Sequence, residues 1–350
     1  MMRVLQKRTV FAATLLASAV TFLQPSTAQE ALTVAVYGGE WGEGITQCIL
    51  QPFTAATGIT VTPDPGTSTV TLAKLRQQKG NPAIDVAWID GGVSELAGEE
   101  GVVATLDPAK IPNMANMETE GVYKSKDGKV YGLSTGFYSL GLVYNTEDVK
   151  PAPTSWWDLS KPEFDGASTV PSPANAMGVP LFVHINKLAG GDLDNFKPAI
   201  DKYKEWKVSS YFDSSGAATN SFQSGEVIVG GHYASAAWSL ADKGLPISYS
   251  PPKEGAPSGD IRVHIVEGTK KTEAAEKLVD FAIGKEQAKC LSEKLYVGPA
   301  TKGVELSEKA KSRMPWGDGT IADLARIDWP AINAKRQAIT DIWNKEIARK

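Results

Sequence analysis

The residues best suited to chemistry stand beside glycines, at the ends of short apolar runs. In AVYGGEWGEG (35–44) a valine-rich run stops at Gly38 and Gly39 and then presents Glu40 and Trp41. GTST (66–69) offers Ser68 and Thr69, and WIDGG (88–92) offers Asp90. Further along, PSPANA (171–176) carries Ser172 and Asn175, GGHY (230–233) carries His232 and Tyr233, and IRVHIV (261–266) carries Arg262. Glycine lets a backbone amide approach a bound group, and Ser or Thr at a helix start satisfies either the helix or an anion. Acids and aromatic rings such as Glu40, Asp90, Trp41, Tyr138 and Tyr233 suit an ammonium group, whereas the Arg262 guanidinium suits a carboxylate or phosphate. The alternative for Arg262 is a salt bridge to Asp260 or Glu40, and Trp88 and Tyr144 read as core fillers.

No reactive assembly emerges from these types. GGEWGEG does not fit G-x-G-x-x-G and lacks the Lys-Ser/Thr of a phosphate loop; G-x-S-x-G is absent. His184, His232 and His264 are too far apart in sequence to define a metal site. Neither a cofactor nor a metal is expected, and the reading is a binding protein, not an enzyme.

The first 28 residues combine Arg3, Lys7 and Arg8 with the apolar run TVFAATLLASAVTFL and small residues at Ser26 and Ala28. This is the pattern of a secretory signal peptide cleaved after Ala28, which predicts export to the periplasm. Removing it takes three basic residues and no acid, so the formal charge of the 350-residue chain falls from −4 to −7. An acidic chain of this kind has no electrostatic reason to bind nucleic acid. Cys48 and Cys290 are the only cysteines, and in an oxidising compartment they can pair as a disulfide; two separately buried thiols are the alternative.

The elements that must hold these residues alternate. LTVAVYG (32–38), GITVTP (58–63) and IDVAWI (84–89) read as strands, with helices over 43–57, 70–78 and 93–99. That order predicts α/β layers with a ligand crevice at the strand ends. GKVYGLSTGFYSLGLVYN (128–145) is long and extended, suited to a chain leaving one lobe for another. A second α/β set follows, and the proline- and glycine-rich stretch 245–260 leads back through IRVHIV. The predicted division is lobe 1 at 29–135 with 261–303, and lobe 2 at 136–260 with 304–350.

VAVYGGEWGEGITQCILQPFTAATGITV, IDVAWIDGGVSELAGEEGVVATLDPAKIPNMANM, YGLSTGFYSLGLVYN and TSWWDLSKPEFDG, in this order and spacing, give the chain its resemblance to a known family. It resembles the extracellular solute-binding proteins of bacterial ABC importers, in the spermidine/putrescine-binding branch. The resemblance implies the type II periplasmic-binding fold, a monomer with a small organic solute between two hinged lobes, and delivery of that solute to a membrane permease. A receptor docking the same closed form, for sensing instead of import, is the alternative partner.

Glu40 and Trp41 match the acid and aromatic of that branch's first strand-end loop. The region of PSPANA, where polyamine binders offer acids, is neutral here, and GDIRVHIV brings Arg262 and His264. Fewer acids and an added arginine point to a small amine-bearing carboxylate or amino acid-like solute, with a polyamine, or an organic anion or phosphonate, as the alternatives.

Overall fold

The computed structural model describes residues 31–348 apart from 318, 325 and 326. The predicted signal peptide, 1–28, lies outside the described residues.

A near-continuous apolar run first produces β1 (Ala31–Tyr37), whose inner residues Leu32, Val34, Ala35 and Val36 are buried. Helix α1 (Gly39–Ile45) follows at once and continues through a π-helical stretch, Thr46–Leu50, into α2 (Gln51–Thr57). The helix thus begins four residues earlier than the predicted 43, and two glycines explain it. Gly39 adopts φ +63°, a conformation that costs other residues strain. A Cβ on Gly42 would stand 1.9 Å from the Tyr37 carbonyl oxygen, so only glycine lets α1 fold back on the strand end.

β2 (Thr60–Gly66), α3 (Ser68–Gln77), β3 (Val86–Asp90) and α4 (Val93–Glu99) complete the first βα series. β1 pairs in parallel with both β2 and β3. After the short β4 (Val122–Lys124), the sixteen-residue β5 (Val130–Asn145) runs out of this half of the sheet.

The second half contains β6 (Ser168–Pro171), α5 (Gly178–Leu188), α6 (Lys197–Glu205), β7 (Ser210–Phe212) and α7 (Ser215–Ser224). It continues with β8 (Val229–Tyr233), α8 (Ala234–Asp242) and β9 (Ile247–Ser250). β10 (Ser258–Ile265) then returns to the first half, where α9 (Thr272–Ala282) and α10 (Lys285–Leu295) pack. α11 (Glu308–Lys311) and α12 (Trp329–Glu346) end the described chain.

The strand order is β2-β1-β3-β10-β5-β8-β6-β7, with β4 and β9 both against β5. β5 is the shared element: Leu133–Ser139 face β10, whereas Leu140–Tyr144 face β8. Two chain crossings therefore lie side by side, since Ser258, Gly259 and Asp260 of β10 pair with Ser139, Tyr138 and Phe137. This is the two-lobed α/β architecture of the type II periplasmic-binding fold.

Cys48 and Cys290 form a disulfide with Cα atoms 5.5 Å apart, tying the π-helical stretch to α10. α12 spans both lobes. Its Asn333 Nδ2 donates to the Gly92 carbonyl at 2.7 Å, and its Trp343 packs on Phe182, Tyr203 and Tyr211.

Candidate functional site

A cleft of about 700 Å³ opens between the lobes, within the range of small-molecule sites. Its lobe 1 wall is the C-terminal edge of β1 and β3 with the head of α3: Tyr37, Gly39, Trp41, Ser68 and Asp90. Its lobe 2 wall is Asn175, Tyr233 and the loop Asp213–Gly216 that starts α7, while Tyr138 comes from β5 at the crossing.

Asp90 is the buried charge of this cleft, 8% exposed. Its Oδ2 accepts a hydrogen bond from Ser68 Oγ at 2.5 Å, and its Oδ1 accepts one from the Tyr138 hydroxyl at 2.9 Å. Burial raises its pKa to about 6; the two hydroxyl donors oppose this, the nearby Asp260 reinforces it, and Arg262 opposes it. A cationic ligand would supply the missing compensation.

Around Asp90 the aromatic rings meet edge to face. Ring centroids are 5.7 Å apart for Trp41–Tyr138, 5.9 Å for Trp41–Tyr233 and 5.1 Å for Tyr138–Tyr233. The Tyr233 hydroxyl donates to Asn175 Oδ1 at 2.8 Å, which fixes the amide orientation. Two helix heads also reach the cleft. Thr67 caps α3 by accepting from Val70 N, and Ser214 caps α7 by accepting from Ala217 N.

Of the residues predicted from sequence, Gly39, Trp41, Ser68, Asp90, Tyr138, Asn175 and Tyr233 come together here. Five others do not line this cleft. Glu40 is one residue from Trp41 on a helix, so the two side chains diverge by about 100°. Its Oε2 accepts from Ser239 Oγ of α8 at 2.6 Å, and Lys243 Nζ stands 4.0 Å away, so Glu40 bridges the lobes at the rim. Burial raises its pKa, with Ser239 and Lys243 opposing.

Thr69 Oγ1 donates across the lobes to the Ala174 carbonyl at 3.2 Å, and the Ser172 hydroxyl donates to Asp213 Oδ1. Both line a second cavity behind the cleft. His232 alternates with Tyr233 along β8 and therefore points into the lobe 2 core, against Phe212 and Phe222, with Thr219 at 3.2 Å. Burial pushes its pKa down to about 3, so it is neutral.

Arg262 is the largest departure from expectation. Ile261 lines the cleft, so its strand neighbour Arg262 points to the opposite face and is 1% exposed. It is held by Asp260 at 2.9 Å and Glu95 at 2.6 Å, beside Ser94, with its guanidinium carbon 3.2 Å from the Tyr123 ring centroid. Its partners belong to lobe 1 and the adjacent crossing strand; Glu40 is not among them.

Tyr37 and the Asp213–Gly216 loop were not anticipated. Tyr37 sits inside an apolar strand run, where a tyrosine reads as core. The loop follows a strand of only three residues, yet FDSSG repeats the hydroxyl-rich helix start of GTST, and that signal was legible.

Comparison with known proteins agrees with this architecture. Residues 49–315 match the model of the family described as bacterial extracellular solute-binding protein. The spermidine/putrescine-binding periplasmic protein 1 of Haemophilus influenzae is 32% identical over 291 residues, covering 80% of this chain and 77% of that one. The spermidine/putrescine-binding periplasmic protein of Escherichia coli K12 is 27% identical over 266 residues, covering 74% and 75%. In fold, an ABC transporter substrate-binding protein from Bradyrhizobium japonicum superposes with a TM-score of 0.73 at 22% identity, covering 91% and 99%.

The chain belongs to the bacterial extracellular solute-binding proteins. It is a periplasmic solute-binding component of the ABC importer class, similar to the spermidine/putrescine-binding proteins of that class, and by family not an enzyme.

Proposed function

We propose that the cleft binds a small aliphatic amine carrying two or more ammonium groups, of the putrescine and spermidine class, and that the closed monomer delivers it to a membrane permease. One observation carries this reading: among the described residues the cleft is lined by two carboxylates, Asp90 and Asp213, and four aromatic rings, with no basic side chain. One ammonium group would meet Asp90 within the Trp41, Tyr138 and Tyr233 rings, combining an ion pair with cation–π attraction. A second would meet Asp213 at the head of α7.

The anionic half of the amine-carboxylate expectation rested on Arg262, whose charge is committed to Asp260 and Glu95. The names of the H. influenzae and E. coli relatives support the amine reading. A single amine-bearing carboxylate remains the second reading, because the heads of α3 and α7 offer backbone N–H groups that suit a carboxylate.

The test is native mass spectrometry of freshly purified protein, then calorimetric titration with putrescine, spermidine and 4-aminobutanoate. The diamine or triamine is expected in the released solute and as the tighter ligand. Tighter binding of the zwitterion would overturn the reading.

A further inference from the structure

Behind the cleft lies a second cavity of about 1030 Å³, and one wall is Arg336 of α12. Its Nε donates to Asn333 Oδ1 at 2.9 Å. Both terminal nitrogens are sealed from solvent and have no hydrogen-bond partner among the described residues. An unpaired buried guanidinium is costly, and a fork of N–H donors is matched by a carboxylate or phosphate. The nearest compensating acid, Glu95, already accepts from Arg262 Nη1 at 2.6 Å and Gly92 N at 2.5 Å. Its attraction recovers only part of the loss, since burial still pushes the Arg336 pKa down to about 10.

The rest of the lining mixes apolar side chains, Trp206, Val208, Trp343 and Ile347 among them, with hydroxyls and amides. Thr69 comes from lobe 1, Ser209 and Ser210 from lobe 2, and Thr340 and Asn344 from α12. Lys207 also lines it, paired with Asp165 at 2.5 Å. Two acids oppose an anion here: Asp165, which also lines the cavity and is paired with Lys207, and Asp213, which forms part of the wall shared with the main cleft.

We propose that Arg336 and this cavity form a second binding site, for a small oxyanion bearing a carboxylate or phosphate group. Arg336 lines the cavity while its fork packs beside Gly92, so the side chain must rotate to bring the fork to the anion. An anion held there touches both lobes and α12, so it favours the closed form. An ammonium group on the cleft side of Asp213 would also remove the like-charge penalty, making the two sites mutually reinforcing. This coupling, though not the anion site, rests on the amine reading.

Inorganic phosphate is titrated into the amine-free full chain by calorimetry at constant ionic strength in chloride. Saturable binding to one site is expected. It should be lost in Arg336→Gln, partly restored by Arg336→Lys, and weakened in Asn344→Asp, which adds a competing carboxylate at an exposed position. No saturable binding, or equal binding in Asn344→Asp and the natural chain, overturns the site, whatever the folding of the Arg336 variants. In a second titration phosphate should tighten putrescine binding about fivefold, the lower end of ordinary coupling. Failure of putrescine to bind would count against the amine reading alone, because the first titration still decides the anion site.

Discussion

Replacing Asp90 by Asn keeps the shape of the cleft and removes its buried charge. A carboxylate and an ammonium about 3 Å apart attract by roughly 5 kcal/mol at an effective dielectric constant of 20, before desolvation. The net worth of such a charged hydrogen bond is about 1.5–3 kcal/mol, so the variant should bind putrescine about 10- to 150-fold more weakly. The sharper test is pH. Asp90 titrates at about 6 because burial disfavours its charge, whereas the ligand amines stay protonated well above neutrality. At pH 5 only about a tenth of Asp90 is ionised, so Kd should be about tenfold weaker than at pH 8, where it reaches a plateau. The stability of the free protein moves the other way. A folded-state pKa raised from 3.8 to about 6 means that the folded chain holds a proton which the unfolded chain releases. Stability without ligand therefore falls as pH rises from about 4 to 6, by up to about 3 kcal/mol, and ligand reverses that loss. Calorimetry from pH 5 to 8 and thermal shifts with and without putrescine measure both. A pH-independent Kd in the natural chain, or the same pH slope in Asp90→Asn, would refute the assignment of the ammonium to Asp90.

Arg262→Met should lower stability by about 3–5 kcal/mol, because it leaves Asp260 and Glu95 buried without their partner, yet leave Kd of the folded fraction within about twofold; a large Kd change with unchanged denaturation would place Arg262 in binding after all. Trp41→Ala should weaken putrescine binding by about 1–2 kcal/mol through loss of a desolvated cation–π face, and calorimetry showing unchanged affinity would remove Trp41 from the site. Replacing Cys48 and Cys290 together by Ser should cost about 2–5 kcal/mol in denaturant unfolding, since the bridge closes a long loop; an unchanged midpoint with intact two-state behaviour would refute that.

The fold was legible wherever several residues carry one signal. Valine-rich β1, apolar β3, the Ser/Thr helix start after β2 and the long extended run of β5 each carry their signal over several positions. Trp41, Asp90 and Tyr233 are legible for the same reason, as each stands beside glycines at a strand end. What failed was parity. Tyr233 and His232 are neighbours on β8, and Ile261 and Arg262 are neighbours on β10, so a shift of one residue exchanges cleft for core. On β10 the register against β5 slips between Ile261 and Arg262. No periodicity within a single strand announces such an irregularity. Glu40 departs for a related reason: the glycines predict a loop before a helix at 43, but α1 starts at Gly39, and helical geometry sends consecutive side chains in different directions.

The displacement of Glu40 from ligand to rim bears on how the lobes close. The lobes are joined by Ser239 to Glu40 at the rim and by Thr69 to the Ala174 carbonyl beside the second cavity. Asp242 of α8 meets the Tyr296 hydroxyl, Lys309 and Arg313, and this holds its pKa down to about 2 despite partial burial. Contacts of this kind at a solvated rim contribute about 0–1 kcal/mol each. Their sum is comparable with the few kcal/mol that separate two populated conformers. Closure is therefore poised, and a ligand that neutralises Asp90 while touching Trp41 on one lobe and Tyr233 on the other is enough to decide it. The acid that a family pattern assigns to the ligand bridges the lobes here, and on the proposed reading it is Asp90, inside the cleft, that carries the recognition.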